Sequence, residues 1–183
     1  GAGPTVGDGN GDGLRDSTQS AVASLTFEFG EEETFITLVA DSVSGKVMPN
    51  TQVIITSLWQ AELAANPPLV AIMPLGLMTS TISLAAGSSQ ESLSLYVSPE
   101  LGVNGFWSQD STGIWTNLAS QVYGGATVLE GGKLRLDLQV TDGGSFDKDV
   151  TVDGVITLVG APGYMPLSLS SYVPDLPPEP FFF

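Results

Sequence analysis

Apolar and polar positions alternate with a period of two over most of the chain, which predicts strands rather than helices. Leu25, Phe27 and Phe29 alternate with Thr26 and Glu28 as a half-buried strand, and residues 34–40 form a second, richer in apolar residues. Residues 52–56 carry the β-branched run Val53, Ile54, Ile55 that suits a third. Residues 79–84 and 91–97 flank a Gly87-Ser88-Ser89 turn, with Ile82 and Leu84, and Leu93, Leu95 and Val97, as the inward sets. Residues 106–118 predict a hairpin turning near 111–113. Residues 126–130 and 133–141 flank Gly131-Gly132, a two-residue hairpin signal. In the second of these strands Leu134, Leu136, Leu138 and Val140 face inward and Lys133, Arg135, Asp137 and Gln139 outward. Residues 152–159 are the last clear strand. Two short helices interrupt the pattern: one over 17–23, N-capped by Asp16, and one over 58–65, stopped by Pro67-Pro68. About nine strands with so little helix predict an all-β fold, an antiparallel β-sandwich.

At 183 residues, 42 % of them hydrophobic, the chain can bury one core. Residues 1–7 read as a Gly-rich lead-in, 8–172 as the single domain, and 173–183 as a Pro-rich linker or tail. The closing Phe181, Phe182 and Phe183 are expected to pack on this domain or on a neighbour. The start at Gly1 suits a mature piece or an excised module. No apolar stretch reaches the roughly 20 residues of a membrane helix, so no insertion is expected.

Charge narrows the partners. Twenty Asp and Glu stand against 5 Lys and Arg, net −15. Such a surface repels phosphate backbones and anionic lipid headgroups, which argues against nucleic acid, and it favours cations. Cys and His are both absent. That removes disulfides, thiol nucleophiles, His-based triads and His zinc sites, and leaves oxygen ligation, meaning calcium or magnesium.

Asp8-Gly9-Asn10-Gly11-Asp12-Gly13-Leu14-Arg15-Asp16 matches the first part of an EF-hand loop. Oxygen side chains occupy relative positions one, three, five and nine, the Leu14 carbonyl position seven, and Gly13 the sharp turn at six. Position twelve is Gln19 and not the bidentate Glu, so the shell needs water or another carboxylate, Asp147 or Asp149 being candidates. Read blandly, the same residues are an Asp/Asn/Gly turn with no ion. A second acidic run, with Asp142, Asp147, Asp149 and Asp153, reads as a polar turn, a second Ca2+ site, or the missing side of the first.

The two ends of this pattern carry a resemblance. Residues 7–25, GDGNGDGLRDSTQSAVASL, and residues 131–163, GGKLRLDLQVTDGGSFDKDVTVDGVITLVGAPG, resemble the opening and close of the choice-of-anchor U domain of bacterial surface proteins. Asn104-Gly105-Phe106-Trp107 with residues 113–118 resembles its aromatic hairpin. One departure is Val150, where a Gly often follows the second Asp. The resemblance implies a secreted β-rich module of adhesin-like proteins, placed at the bacterial cell surface, with no known catalytic residues.

The reading that follows is a calcium-stabilised extracellular module of a surface adhesin, monomeric, with neighbouring modules of the same protein as its partners. It has a structural or presenting role in cell adhesion and is not an enzyme. The alternative is a carbohydrate- or peptide-binding module in which Trp107 and Trp115, with Asn117 close by, stack on a surface ligand; core or cross-strand packing explains the same residues. A weaker alternative is a glycan-active enzyme using paired carboxylates.

Overall fold

The alternation along the chain becomes two packed antiparallel sheets in the computed structural model, which describes residues 7–61 and 72–165. The first sheet is built from β1 (Val22–Phe29), β2 (Glu32–Val39), β7 (Gln90–Val97), β10 (Ala126–Glu130) and β11 (Lys133–Thr141). Its spatial order is β1-β2-β7-β11-β10. The second contains β5 (Ile54–Ala61), β6 (Leu77–Ser83), β8 (Gly105–Gln109), β9 (Trp115–Asn117) and β12 (Val155–Gly163), in the order β5-β6-β12-β8-β9. A small hairpin, β3 (Ser42–Val43) with β4 (Lys46–Val47), stands apart. The fold is an all-β sandwich, as the periodicity predicts.

Register explains the core. Leu38 lies opposite Leu95, and Leu95 opposite Leu136, so one row of leucines crosses the first sheet. Ile55, Ile82 and Ile156 form the facing kind of row in the second. All but Ile55 of these six are at most 1 % exposed, and burial at that level contributes roughly 1.5–3 kcal/mol per side chain. Phe106 and Leu118 close the core from the β8–β9 hairpin. At Gly131 and Gly132 φ is +57° and +77°, the two positive values that a type I′ turn requires, and Glu130 pairs directly with Lys133 across it.

Several local expectations are corrected. The helix over 17–23 is only a 3-10 turn, Asp16–Thr18, after which the chain enters β1 at Val22. Asp16 is not its N-cap. Arg15 holds that position, and the Asp16 carboxylate turns back to the Gly9 amide instead. Strand pairing of β1 with β2 and burial of Ala21 and Val22 outweigh the helical reading. Leu58 to Ala61 belong to β5 and pair with β6, so the helix over 58–65 does not form there; 62–65 and Pro67-Pro68 lie outside the described residues. So do residues 166–183, including the Phe triplet. Among the described residues no helix is long and apolar enough to cross a membrane.

The outer face of the first sheet is where sequence and structure differ most usefully. Thr37, Tyr96 and Arg135 share one outward row, and each is buried. The β3–β4 hairpin and residues 7–16 lie over them. Gly45 sits so close that a Cβ there would stand 1.8 Å from the Tyr96 hydroxyl, and one on Gly9 would stand 1.8 Å from Thr37 Oγ1. Val22, Val39 and Tyr96, joined by Val47, make a second small apolar cluster under this cover.

Candidate metal centre

The DxNxDG stretch folds as a tight loop in which its own amides are held by its own carboxylates. Asp8 Oδ1 and Oδ2 accept from the amides of Asp12 (3.1 Å) and Gly13 (2.9 Å). Asp12 Oδ1 accepts from Leu14 N at 2.8 Å. Both Asp16 oxygens accept from Gly9 N, at 3.0 and 3.1 Å, and Ser24 Oγ donates to Oδ2. These bonds close the loop and fill Asp16 Oδ2, while Asp16 Oδ1, Asp12 Oδ1 and both Asp8 oxygens accept one bond each and keep a lone pair. Burial pushes the Asp12 carboxyl up, but hydrogen bonds from Gln19, Leu14 and Asn10, with Lys46 nearby, outweigh it and hold the group below its ordinary value.

Two atoms in this loop lack partners. Asn10 is 2 % exposed; its Nδ2 donates to Asp12 Oδ2 at 3.1 Å and to the Gly45 carbonyl at 3.3 Å, while its Oδ1 is buried and accepts nothing. Gln19 Nε2 donates to Asp12 Oδ2 at 2.7 Å, and Gln19 Oε1 is likewise buried and unpartnered. A buried acceptor left unmade costs about 1–3 kcal/mol. Two such acceptors beside the Asp12 carboxylate are neutral oxygens of the kind a hard cation takes. Among the described residues no three acidic side chains gather into a metal cage by themselves. An ion here would therefore need a mixed shell, in which Asp8, Asp12 and Asp16 would have to close in beside the Asn10 amide oxygen and the Leu14 carbonyl.

The loop is tied to the sheet by cations and by the small hairpin. Lys133 Nζ donates to the Gly9 carbonyl at 2.6 Å, and Lys46 Nζ donates to that of Asn10. Beneath, Arg135 is 7 % exposed; its Nε meets Asp137 Oδ1 at 3.0 Å, and its Nη1 meets the Ser44 carbonyl at 2.9 Å and the Glu130 carboxylate. Burial, with Glu130 adding, pushes the Tyr96 hydroxyl up to about 12. Lys46, Lys133 and Arg135 thus bond backbone carbonyls of this loop and hairpin, and Arg15 lies within the loop itself. The sequence pattern places Arg135 and Lys133 on the outward face but gives no sign that anything covers it.

The second acidic run does not meet the first. The first loop lies over the row of Arg135, whereas Asp142 follows the far end of β11; seven strand residues separate them by roughly 23 Å. Its carboxylates act as turn staples. Asp142, 4 % exposed, accepts from Asp153 N (3.3 Å) and Gly154 N (2.8 Å). Asp147, 1 % exposed, accepts from Gly143 N (2.9 Å) and Thr157 N (3.0 Å). Asp149 and Asp153 are exposed and bond the amides two residues on, Thr151 and Val155. Neither Asp147 nor Asp149 completes the first shell, which corrects that expectation. Val150 holds φ +54°, a conformation a β-branched residue rarely adopts.

On the aromatic hairpin Trp107 pairs with Asn117 and Gln109 with Trp115, so the two indoles are diagonal neighbours on the outer face of the second sheet. Both are half-buried, and Trp107 Nε1 is buried without a partner. Asn117 Oδ1 accepts from the amides of Phe106 and Ala119, both at 3.0 Å, which makes it a fastener of the hairpin. Trp115 also borders a cavity of about 480 Å³ with Gln109, Asp110, Ser145, Phe146 and Lys148. No family model, curated protein or solved structure matches the chain.

Proposed function

We propose that this domain is a calcium-stabilised, extracellular module of a bacterial surface adhesin, with a structural or presenting role. The observation that carries the reading is the buried, unpartnered Asn10 Oδ1 inside the DxNxDG loop. The net charge of −15 and the family resemblance of residues 7–25 and 131–163 support it. Bound calcium would be held by Asp8, Asn10, Asp12, the Leu14 carbonyl and Asp16. It would relieve repulsion among the three carboxylates and fix the loop on the outer face, over Thr37 and against the β3–β4 hairpin. Weak sites of this class, with dissociation constants of about 10⁻⁴–10⁻³ M, suit the calcium level outside a cell. The module works as a monomer between neighbours in a longer surface protein.

The cavity beside Trp115 favours a second reading, a binding module for a surface glycan or peptide. An aromatic face with amide and charged neighbours is the usual recipe for stacking on a sugar ring. Catalysis is not part of the proposal, because the acidic side chains of the second loop are turned on to backbone amides and do not face one another across a cleft. Protease survival of the purified domain in calcium against chelator tests the first reading: equal survival contradicts it. A glycan array on the same domain, with hits abolished by Trp115→Ala at unchanged stability, would shift the function to the second.

A further inference from the structure

Gln19 departs from the residue an EF-hand-like loop places at position twelve, yet its side chain returns to the loop. The 3-10 turn Asp16–Thr18 brings it there: Gln19 N donates to the Asp16 carbonyl at 3.0 Å, and Nε2 then reaches Asp12 Oδ2 at 2.7 Å. Its Oε1 is buried and accepts nothing, like the Asn10 Oδ1 whose amide also holds Asp12 Oδ2. Two amide groups therefore grip the same carboxylate oxygen through nitrogen, and each leaves its own oxygen bare.

We infer that Gln19 is a ligand of the same calcium ion, giving a neutral oxygen where a bidentate carboxylate would otherwise stand. This rests on the calcium reading above. With Gln19 the protein supplies six oxygens, three carboxylate and three neutral, which meets the lower bound of calcium's six to eight ligands without a distant segment. Replacing a carboxylate by an amide at position twelve lowers the ligand charge from four to three. Lys46 and Lys133, bonded to the Asn10 and Gly9 carbonyls, lower the local negative potential further. Gln19 thereby sets the site to weak, millimolar-range affinity, so that it fills outside the cell and empties when calcium falls.

The test is calcium chloride titration by calorimetry, with thermal melts in calcium and in chelator, on the wild type, Gln19→Ala and Gln19→Glu. Gln19→Ala is expected to weaken binding about ten-fold, and Gln19→Glu to tighten it about ten-fold through the added charge. The melts separate ligand from fastener. In chelator Gln19→Glu places a carboxylate against Asp12 and melts below the wild type; in calcium it melts above it. If Gln19 only braces Asp12, or if a water satisfies Oε1, Gln19→Glu melts below the wild type in both conditions and the inference fails while the calcium reading stands. A wild type that takes up no calcium overturns the calcium reading, and this inference with it.

Discussion

Asp147→Ala separates a structural carboxylate from a metal ligand. Asp147 is 1 % exposed, and its two oxygens accept from Gly143 N at 2.9 Å and Thr157 N at 3.0 Å. Thr157 lies within β12, so these bonds anchor the β11–β12 loop to the second sheet. Alanine removes both acceptors at once. Each charge-assisted bond contributes about 1.5–3 kcal/mol, and water reaches a site this deep only partly, so the expected loss is roughly 3–5 kcal/mol. That is a large share of the roughly 5–15 kcal/mol that holds an ordinary domain together. Asp147→Asn keeps one acceptor and presents an NH2 to the other amide, so it should lose about half as much. Urea denaturation in chelator measures both, and calcium titration of the same proteins should give wild-type affinity. A variant that keeps full stability in chelator but loses calcium binding would show that Asp147 is a metal ligand and not a turn staple.

Glu91 is 4 % exposed; burial, with Asp41 adding, pushes its carboxyl up to about 7, although the Asp41 and Ser92 amides pull the other way. Because the folded-state value lies above the unfolded one of 4.5, this group's stabilisation is full below that value and is lost as pH rises toward about 7. Glu91→Gln should therefore gain on the wild type as pH is raised from about 5 to about 8, by at most about 3 kcal/mol in denaturation experiments in chelator, and a difference independent of pH would contradict it. Gly45→Ala places a Cβ 1.8 Å from the Tyr96 hydroxyl at φ +82°. It should cost roughly 2–4 kcal/mol and weaken calcium binding through the Asn10–Gly45 contact; unchanged denaturation would mean that the hairpin does not dock as described. Trp115→Ala should cost roughly 2 kcal/mol, about half the penalty of truncating a fully buried indole. Chemical denaturation checks it, and no measurable loss would show that Trp115 does not support the fold.

The sandwich was legible because its strands follow the rule of two. Leu93, Leu95 and Val97, and Leu136, Leu138 and Val140, announce their inward face, and all are buried. Gly131-Gly132 announces its turn for a reason of backbone sterics. The β3–β4 hairpin was not legible: two-residue strands carry no period, and what holds them is tertiary, with Ser42 Oγ at 2.7 Å from Ser94 Oγ and Gly45 packed down on Tyr96. Hence the burial of Arg135 was hidden as well, since its outward position is visible in the pattern and its cover is not. Residues 58–61 lie on an edge strand, where only one neighbour selects the conformation, and helical spacing competes well there. The spacing of Asp8, Asn10, Asp12, Leu14 and Asp16 marks a tight loop whose carboxylates hold its own amides. It says nothing about which end of a sheet a second acidic run occupies, and the register of β11 is what separates Asp142 and Asp147 from it.

Thermal unfolding in calcium against chelator decides whether the loop from Asp8 to Asp16 holds calcium. An ion that binds only the folded state adds about 2.7 kcal/mol when supplied at roughly 100 times its dissociation constant. For a domain of this size that raises Tm by roughly 5–10 °C. A rise of that order is expected in the wild type and none in Asp12→Ala, whereas superimposable wild-type melts in calcium and chelator would mean that the loop holds no ion.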